Sequence, residues 1–325
     1  MLRLSVVIPV KNGSATLARC LRSITEQTVA EDLEIIVLDS NSADDSVNIA
    51  RKFNARIIDV PEGRFDHGLT RNLGVQQAQG EFVYLTVQDA TIGKRDMLER
   101  MVLHFRDEKV MAVSGHQAVP LDKETNPLVW YRPYSTPLLV EKTVKDPDAF
   151  KSMTQEDKQA LISWDNVVAM YRKTALTAQP FVQTEFTEDW FWSYEALLKG
   201  WKLLHDPSLV VYHYHHHSFK YAFNITYTAN YHFYKFFKFI PRLPAVGMPI
   251  FRSAYHVMKN KQLSLKEKLY WTRHNWAGIF GSYFSTLDFL RRLKIGHQKG
   301  IEEGYQRYCS SIPQGKRRKM PQFPQ

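Results

Sequence analysis

Two cysteines in 325 residues, Cys20 and Cys309, stand at opposite ends of the chain. Thiols so few and so far apart exclude a disulfide framework and a cysteine-built zinc site, and they suit a reducing, cytoplasmic setting. No apolar run approaches the roughly 20 residues that a spanning helix needs. Met1-Leu2-Arg3-Leu4 leads straight into an apolar strand containing Pro9, with no small-residue cleavage site, so neither a signal peptide nor an integral membrane protein is expected. Neither G-x-G-x-x-G nor G-x-x-x-x-G-K-[ST] occurs, and the first strand is followed only by Lys11-Asn12-Gly13-Ser14, which argues against dinucleotide and Walker-type phosphate binding. What remains, 44% hydrophobic and 23% charged with 15 Gly and 15 Pro, is a globular profile with enough length for a large core, and it excludes disorder and collagen-like repeats.

Acidic residues are scarce in one place only. Residues 219–325 hold 19 Lys and Arg against 4 Asp and Glu, a surplus of +15, so the net +10 of the whole chain leaves residues 1–218 at −5. The same last third carries 22 of the 42 aromatic residues. Two domains are expected, 1–218 and 219–325. The basic and aromatic second domain suits an anionic membrane surface, where Lys and Arg meet head groups and Phe, Tyr and Trp lie at the interface. The alternative is packing of those aromatics on the first domain.

The first domain alternates β-branched runs with helical stretches. Ser5 to Val10, Glu34 to Asp39, Ala55 to Val60, Glu81 to Val87 and Val110 to Ser114 read as strands. Between them, Ala15 to Gln27, Asp44 to Phe53, His67 to Ala78 and Met97 to Phe105 read as helices. That order predicts an α/β, doubly wound, mainly parallel sheet with its ligand crevice at the carboxyl ends of the strands. Regularity weakens between Pro120 and Ser163, where five prolines break the pattern. Structure resumes at Asp165 to Ala178, Phe186 to Gly200 reads as a helix, and Leu203 to His216 as extended chain. Beyond Phe219 the chain reads as helical pieces ending in Lys316-Arg317-Arg318-Lys319.

Polar residues collect at the strand ends. Asp39, closing the second strand, can accept hydrogen bonds from a nucleotide's base or ribose, or can serve the next helix as a capping loop. Gln88-Asp89-Ala90 closes the fourth strand, and a carboxylate there can hold Mg²⁺ or Mn²⁺ against a diphosphate, or can be a turn residue. Asp66-His67-Gly68-Leu69-Thr70-Arg71 opens a helix, so Arg71 and the local N–H groups can face phosphate, or Arg71 can pair with Asp66. Glu188 and Asp189 sit in a first helical turn beside Trp190, with Trp190, Tyr194, Leu197, Leu198 and Trp201 read as one face. Such acids complement the helix dipole, and a partly desolvated carboxylate is also a good general base. The aromatic rings of Trp190 and Trp192 can stack on a sugar. In Val211-Tyr212-His213-Tyr214-His215-His216-His217 alternation puts His213, His215 and His217 on one face, and a mixed Asp/His divalent site with Asp89 is favoured over an all-His zinc site.

Together these segments, in this order over residues 3–218, resemble the family 2 inverting glycosyltransferases of the GT-A fold. Phe65 to Gly74 and Gln88-Asp89-Ala90 are similar to the bacterial rhamnosyltransferase-like branch. The resemblance implies a GT-A domain with a C-terminal helical, basic-aromatic extension. It implies Asp39 at the base or ribose with Pro9 and Asn12 shaping that pocket, Gln88 near the donor, and Arg71 at the phosphates. Asp89 would be the last acid of a metal motif, supported by His213 or His215, and Asp189, next to Glu188, the catalytic base. Gln88 and Val87 stand where the broad family has further acids, so fewer carboxylates would hold the metal.

The activity so implied is transfer of a sugar, rhamnose from a dTDP-sugar as the first expectation, to a hydroxyl of a saccharide or lipid-linked acceptor in cell-surface polysaccharide synthesis. A UDP- or GDP-activated hexose or N-acetylhexosamine is the alternative donor. The second alternative is a basic membrane- or nucleic-acid-binding protein on an α/β scaffold, supported by the run Tyr231 to Phe239. Nucleic acid is not expected as a partner, because a scaffold has no need of the ordered acidic residues. The expected location is the cytoplasm, peripheral on the membrane's inner face.

Overall fold

The computed structural model describes residues 4–61, 66–119, 126–128, 138–184, 186–215 and 218–308. Phe65, Pro120, His216, His217, Cys309 and the basic tail at Lys316 to Lys319, all part of the sequence reading, lie outside the described residues. The chain forms two units, one of Met1–Pro120 and Tyr134–Tyr214, the other of Leu121–Pro133 and His215–Gln325. The division falls just beyond the last strand of the first unit, and the second unit also takes a short piece from the proline-punctuated stretch.

The first unit opens with β1 (Leu4–Val10), α1 (Leu17–Thr25), β2 (Leu33–Asp39), α2 (Ser46–Lys52), β3 (Arg56–Asp59), α3 (His67–Gln77) and β4 (Phe82–Leu85). It continues through β5 (Thr91–Ile92), α4 (Met97–Leu103), β6 (Val110–Ala118), β7 (Val140–Lys142), α5 (Pro147–Ser152) and α6 (Gln155–Ile162). It ends with β8 (Ala169–Arg172), α7 (Lys173–Ala178), α8 (Glu188–Leu198) and β9 (Lys202–Tyr212). These strands make one sheet in the order β3-β2-β1-β4-β8-β6-β9-β5, with β7 also on β9. Strands β1, β2, β3, β4, β6 and β9 run one way, while β5, β7 and β8 run against them. The sheet is therefore mixed but mostly parallel, as the alternating pattern predicts.

β1 lies at the centre of the parallel part, and Val6, Val7 and Ile8 are fully buried. A strand covered on both faces is apolar at nearly every position, which is why it reads as a near-continuous run; the buried Ser5 is satisfied by donating Oγ to Glu34 Oε1 at 2.6 Å. Leu17, Cys20, Leu21 and Ile24 of α1 recur at helical spacing and pack into the same core as Leu4, Val6, Ile8 and Val10. The stretch from 140 to 163, expected to be irregular, holds β7, α5 and α6. Pro147 sits in the first turn of α5, where its missing N–H costs nothing, so here proline starts a helix.

The second unit contains α9 (Phe219–Phe237), α10 (Gly247–Lys259) and α11 (Leu265–Tyr308), the last turning sharply at His297, where φ is 49°. Tyr227, Tyr231, Phe289, Ile301 and Tyr305 form its core, with Tyr231 and Tyr305 stacked at 4.1 Å. Gly304 is needed there, since a Cβ would stand 1.9 Å from Tyr227 Oη. No described helix is long and apolar enough to cross a membrane.

Candidate active site

Loops at the carboxyl ends of β1 and β2 are laced to one another. Asn12 holds a left-handed conformation (φ 50°), its N–H donates to Ser42 Oγ at 2.9 Å, and its Oδ1 accepts from Ala43 N at 2.9 Å. Asp39 is buried in this frame. Its Oδ2 accepts from Ser42 N at 3.0 Å, and its Oδ1 is buried without a partner among the described residues. A buried carboxylate oxygen left without a donor is costly, so a ligand hydroxyl or N–H is the natural complement. Pro9, paired in register with Leu38, helps to carry this edge of β1. Gln88 binds the backbone of Lys11 through both ends of its amide, at 2.8 and 3.2 Å. That engagement makes it a brace for the Lys11-Asn12 turn.

α3 works as a clamp on the segment that leads into α8. Asp66 caps α3 by accepting from Leu69 N at 2.9 Å and reaches Thr184 N at 3.3 Å. A Cβ at Gly68 would stand 2.0 Å from Val182 O, so only glycine lets the two backbones approach. Asn72 pairs with the backbone of Phe181 in both directions, at 2.8 and 2.9 Å. Arg71, expected at the phosphates with Asp66 as the bland partner, instead donates from Nη1 to Glu188 Oε1 at 2.7 Å, and both side chains are buried. This corrects the reading of the helix N-terminus: Asp66 occupies the free N–H at Leu69, and the guanidinium is turned to α8.

At the start of α8, Thr187 is held at φ 66°, an uncommon conformation for a β-branched residue, immediately before Glu188 and Asp189. The two carboxyls have opposite surroundings. Burial pushes Glu188 up, but Arg71, His67 and the Asn166 amide outweigh it, and the group lies below its ordinary range, ionised. Asp189 is pushed well above its ordinary range by desolvation, then by the charges of Glu188 and Asp165, against the opposing pull of Arg71 and of the Trp190 N–H. Asp189 keeps some solvent exposure and accepts from Trp190 N at 2.8 Å and Asn166 N at 3.3 Å. Neighbouring acids driven apart in this way divide into a fixed charge and a proton acceptor.

Asn166 is held by a chain in which Trp164 Nε1 donates to Tyr171 Oη at 2.7 Å and Tyr171 Oη donates to Asn166 Oδ1 at 2.5 Å. Its amide nitrogen is thereby turned to Glu188 Oε1 at 3.1 Å. Nothing in the local sequence at Trp164 to Asn166 signals this role, because its partners lie on β8 and α8.

Asp89, His213 and His215 each offer one ligand atom within 4.8 Å of the others. The register of β5 on β9 explains the meeting. Thr91 pairs with Tyr212 in antiparallel fashion, so the chain two residues before Thr91 lies opposite the chain two residues beyond Tyr212, between the histidines. His213 Nε2 lies 3.3 Å from Asp89 Oδ1, and its Nδ1 meets Gln117 Oε1 at 2.7 Å. Gln117 donates its amide nitrogen to Asp165 Oδ2, which turns its oxygen to His213 and makes Nδ1 the protonated nitrogen. Nε2 is the ring nitrogen that faces Asp89 and is placed to be the ligand atom. Gln117 and Asp165 were not singled out from sequence. The sequence-read strand stops at Ser114, before β6 delivers Gln117 to its carboxyl end.

Trp192 does not contact an acceptor. It is 1% exposed, donates from Nε1 to Gln179 O at 2.8 Å and meets Tyr171 edge-on at 4.7 Å. The buried face of α8 is Glu188, Trp192, Ser193, Ala196 and Leu197, so the helix is rotated from the expected face and Trp190 stays partly exposed.

Residues 5–163 match the family model described as glycosyl transferase family 2. The O-antigen chain rhamnosyltransferase RfbN of Salmonella typhimurium is 28% identical over 227 residues, 67% of this chain and 68% of its own. WbaN of Salmonella anatum, another O-antigen chain rhamnosyltransferase, is 28% identical over 221 residues, 66% of this chain and 67% of its own. Among solved structures, residues 1–349 of Staphylococcus aureus TarS superpose with a TM-score of 0.56 at 15% identity, covering 96% of this chain and 81% of that one, a likeness of fold.

Proposed function

Taking as premise that residues 5–163 are a glycosyl transferase family 2 domain and that the chain is a nucleotide-sugar-dependent glycosyltransferase, we propose that it moves a rhamnosyl group, with inversion, from a dTDP-sugar to a hydroxyl of a saccharide or lipid-linked acceptor. The observation that carries this reading is the divided acidic pair, Asp189 proton-hungry and partly accessible beside an ionised Glu188 held by Arg71. The similarity to two O-antigen rhamnosyltransferases supports the sugar and a product in cell-surface polysaccharide.

Asp189 takes the proton of the acceptor hydroxyl as that oxygen bonds to the anomeric carbon. The bond from that carbon to the diphosphate oxygen breaks on the opposite side, and the nucleoside diphosphate departs with its electron pair. One displacement inverts the centre. Glu188 stays charged and keeps the proton affinity of Asp189 high. Asp39, through its free Oδ1, receives a base or ribose donor group, with Asn12 and Gln88 holding the loops around it.

Asp89, His213 and His215 fit a divalent cation, one carboxylate oxygen with two imidazole nitrogens. Mixed O and N donors favour Mn²⁺ over Mg²⁺, which takes oxygen almost exclusively. Such a cation supplies positive charge to the leaving diphosphate. The acceptor side is assigned to Trp190. We also place the protein at the cytoplasmic face of the membrane, bound from the side, on the strength of the +15 surplus in residues 219–325.

A donor screen tests the reading. With Mn²⁺ present, dTDP-rhamnose should raise the melting temperature and be slowly hydrolysed. Response to a UDP- or GDP-hexose instead would reassign the donor, and response to no nucleotide sugar would contradict the function.

A further inference from the structure

α10 presents its hydrophobicity outward. Met248, Phe251, Tyr255 and Met258 are 72%, 69%, 50% and 47% exposed, and at 100° per residue they fall within one quadrant of the helix. The opposite side carries the buried Ser253 and Val257, so the inner face is the smaller and less apolar one. A helix packed on its own domain in water has the reverse arrangement. In the first turns of α11, Leu265 and Leu269 are likewise 68% and 56% exposed.

Charge indicates what covers this face. Residues 207–266 contain no Asp or Glu but hold eight Lys and Arg, among them Arg252 and Lys259, both exposed and adjoining the stripe. Lys259 Nζ lies 5.4 Å above the ring of Tyr255 and 3.2 Å from its Oη, so cation and aromatic sit at one level on the helix. Apolar side chains flanked by cations complement a bilayer with anionic head groups, and the acid of the adjoining turn of α11, Glu267, is engaged in the helix cap, accepting from Ser264 N and Oγ at 2.7 Å. A second copy of this face would set cation against cation.

We propose that α10, with the start of α11, is the element that inserts into the surface of an anionic bilayer. Phe251 and the methionines enter the acyl boundary while Arg252 and Lys259 meet the phosphates. The inference rests on the membrane-surface part of the proposed function and names the residues that perform it.

The full chain is floated with vesicles of phosphatidylglycerol and phosphatidylcholine in equal parts and with phosphatidylcholine alone. Strong, salt-weakened binding to the mixed vesicles only is expected. The double variant Phe251→Ser/Met258→Ser, both at exposed positions, should lose binding about tenfold or more with an unchanged circular dichroism spectrum, and Arg252→Gln/Lys259→Gln should lose most of the preference for anionic lipid. Mixed-vesicle binding unaltered in the first variant overturns the inference and leaves the membrane reading standing. Failure of the wild-type chain to bind either vesicle removes both. Conversion of a wild-type dimer to a monomer by the serines, with vesicle binding intact, assigns the face to self-association and also overturns the inference.

Discussion

Arg71 Nη1 and Glu188 Oε1 meet at 2.7 Å in the interior of the first unit, joining the helix after β3 to the turn that carries Asp189. The pair is buried, so its net attraction matters less than the penalty for removing one partner and leaving the other charge uncompensated. Arg71→Met leaves the carboxylate without its cation and is expected to destabilise the protein by about 3–5 kcal/mol in urea titration at neutral pH. Glu188 lies below its ordinary range, so its contribution is present above the unfolded value and lost as pH falls through the folded one. The deficit of the variant should therefore narrow in acid.

Activity should fall in acid at a pH well above the usual titration of an aspartate, because Asp189 must be ionised to accept a proton. A pH profile of kcat/KM reads this limb. Stability moves in the opposite sense. A raised folded pKa means that the contribution of Asp189 is fully present below its unfolded value and is lost as pH rises through the folded one. Asp189→Asn should thus melt higher than wild type at neutral pH, and the gap should close in acid.

Asp89→Ala should abolish tight Mn²⁺ binding, measured by titration calorimetry on the full chain. Gln117→Leu, which frees the His213 ring without touching a ligand atom, should weaken binding about 10–100-fold. Equal Mn²⁺ affinity in all three proteins would remove the cation from this site.

Two tryptophans on the same helix, Trp190 and Trp192, should behave differently. Trp192→Ala opens a cavity against Tyr171 and Gln179 and should cost about 3–5 kcal/mol in stability. Trp190→Ala should leave the melting temperature nearly unchanged and raise KM for the acceptor.

The contrast between those tryptophans shows where sequence reading stops. The alternation of apolar runs and helical faces exposes β1, α1 and the mainly parallel sheet, because burial on both faces or on one stripe leaves a local mark. The side of α8 that faces the core depends on Tyr171 and Gln179, which arrive from β8 and the end of α7, and no local period reveals them. His213 and His215 are visible as alternating residues, whereas their meeting with Asp89 needs the β5–β9 register. Arg71 looks like a phosphate ligand at a helix start until Glu188, 117 residues later, closes on it. Within the structured stretch Asp165 to Ala178 nothing local marks β8 as antiparallel, yet that strand sets the turn before it so that Asp165 and Asn166 lie between the histidine and the acidic pair.

The central claim is that Asp189 is the base of an inverting sugar transfer, and single-turnover transfer from the bound donor by Asp189→Asn tests it most directly. The account predicts unchanged donor affinity with transfer slowed about 10²–10⁴-fold, the usual contribution of a positioned general base. Transfer at the wild-type rate, with the donor bound equally well, would contradict it.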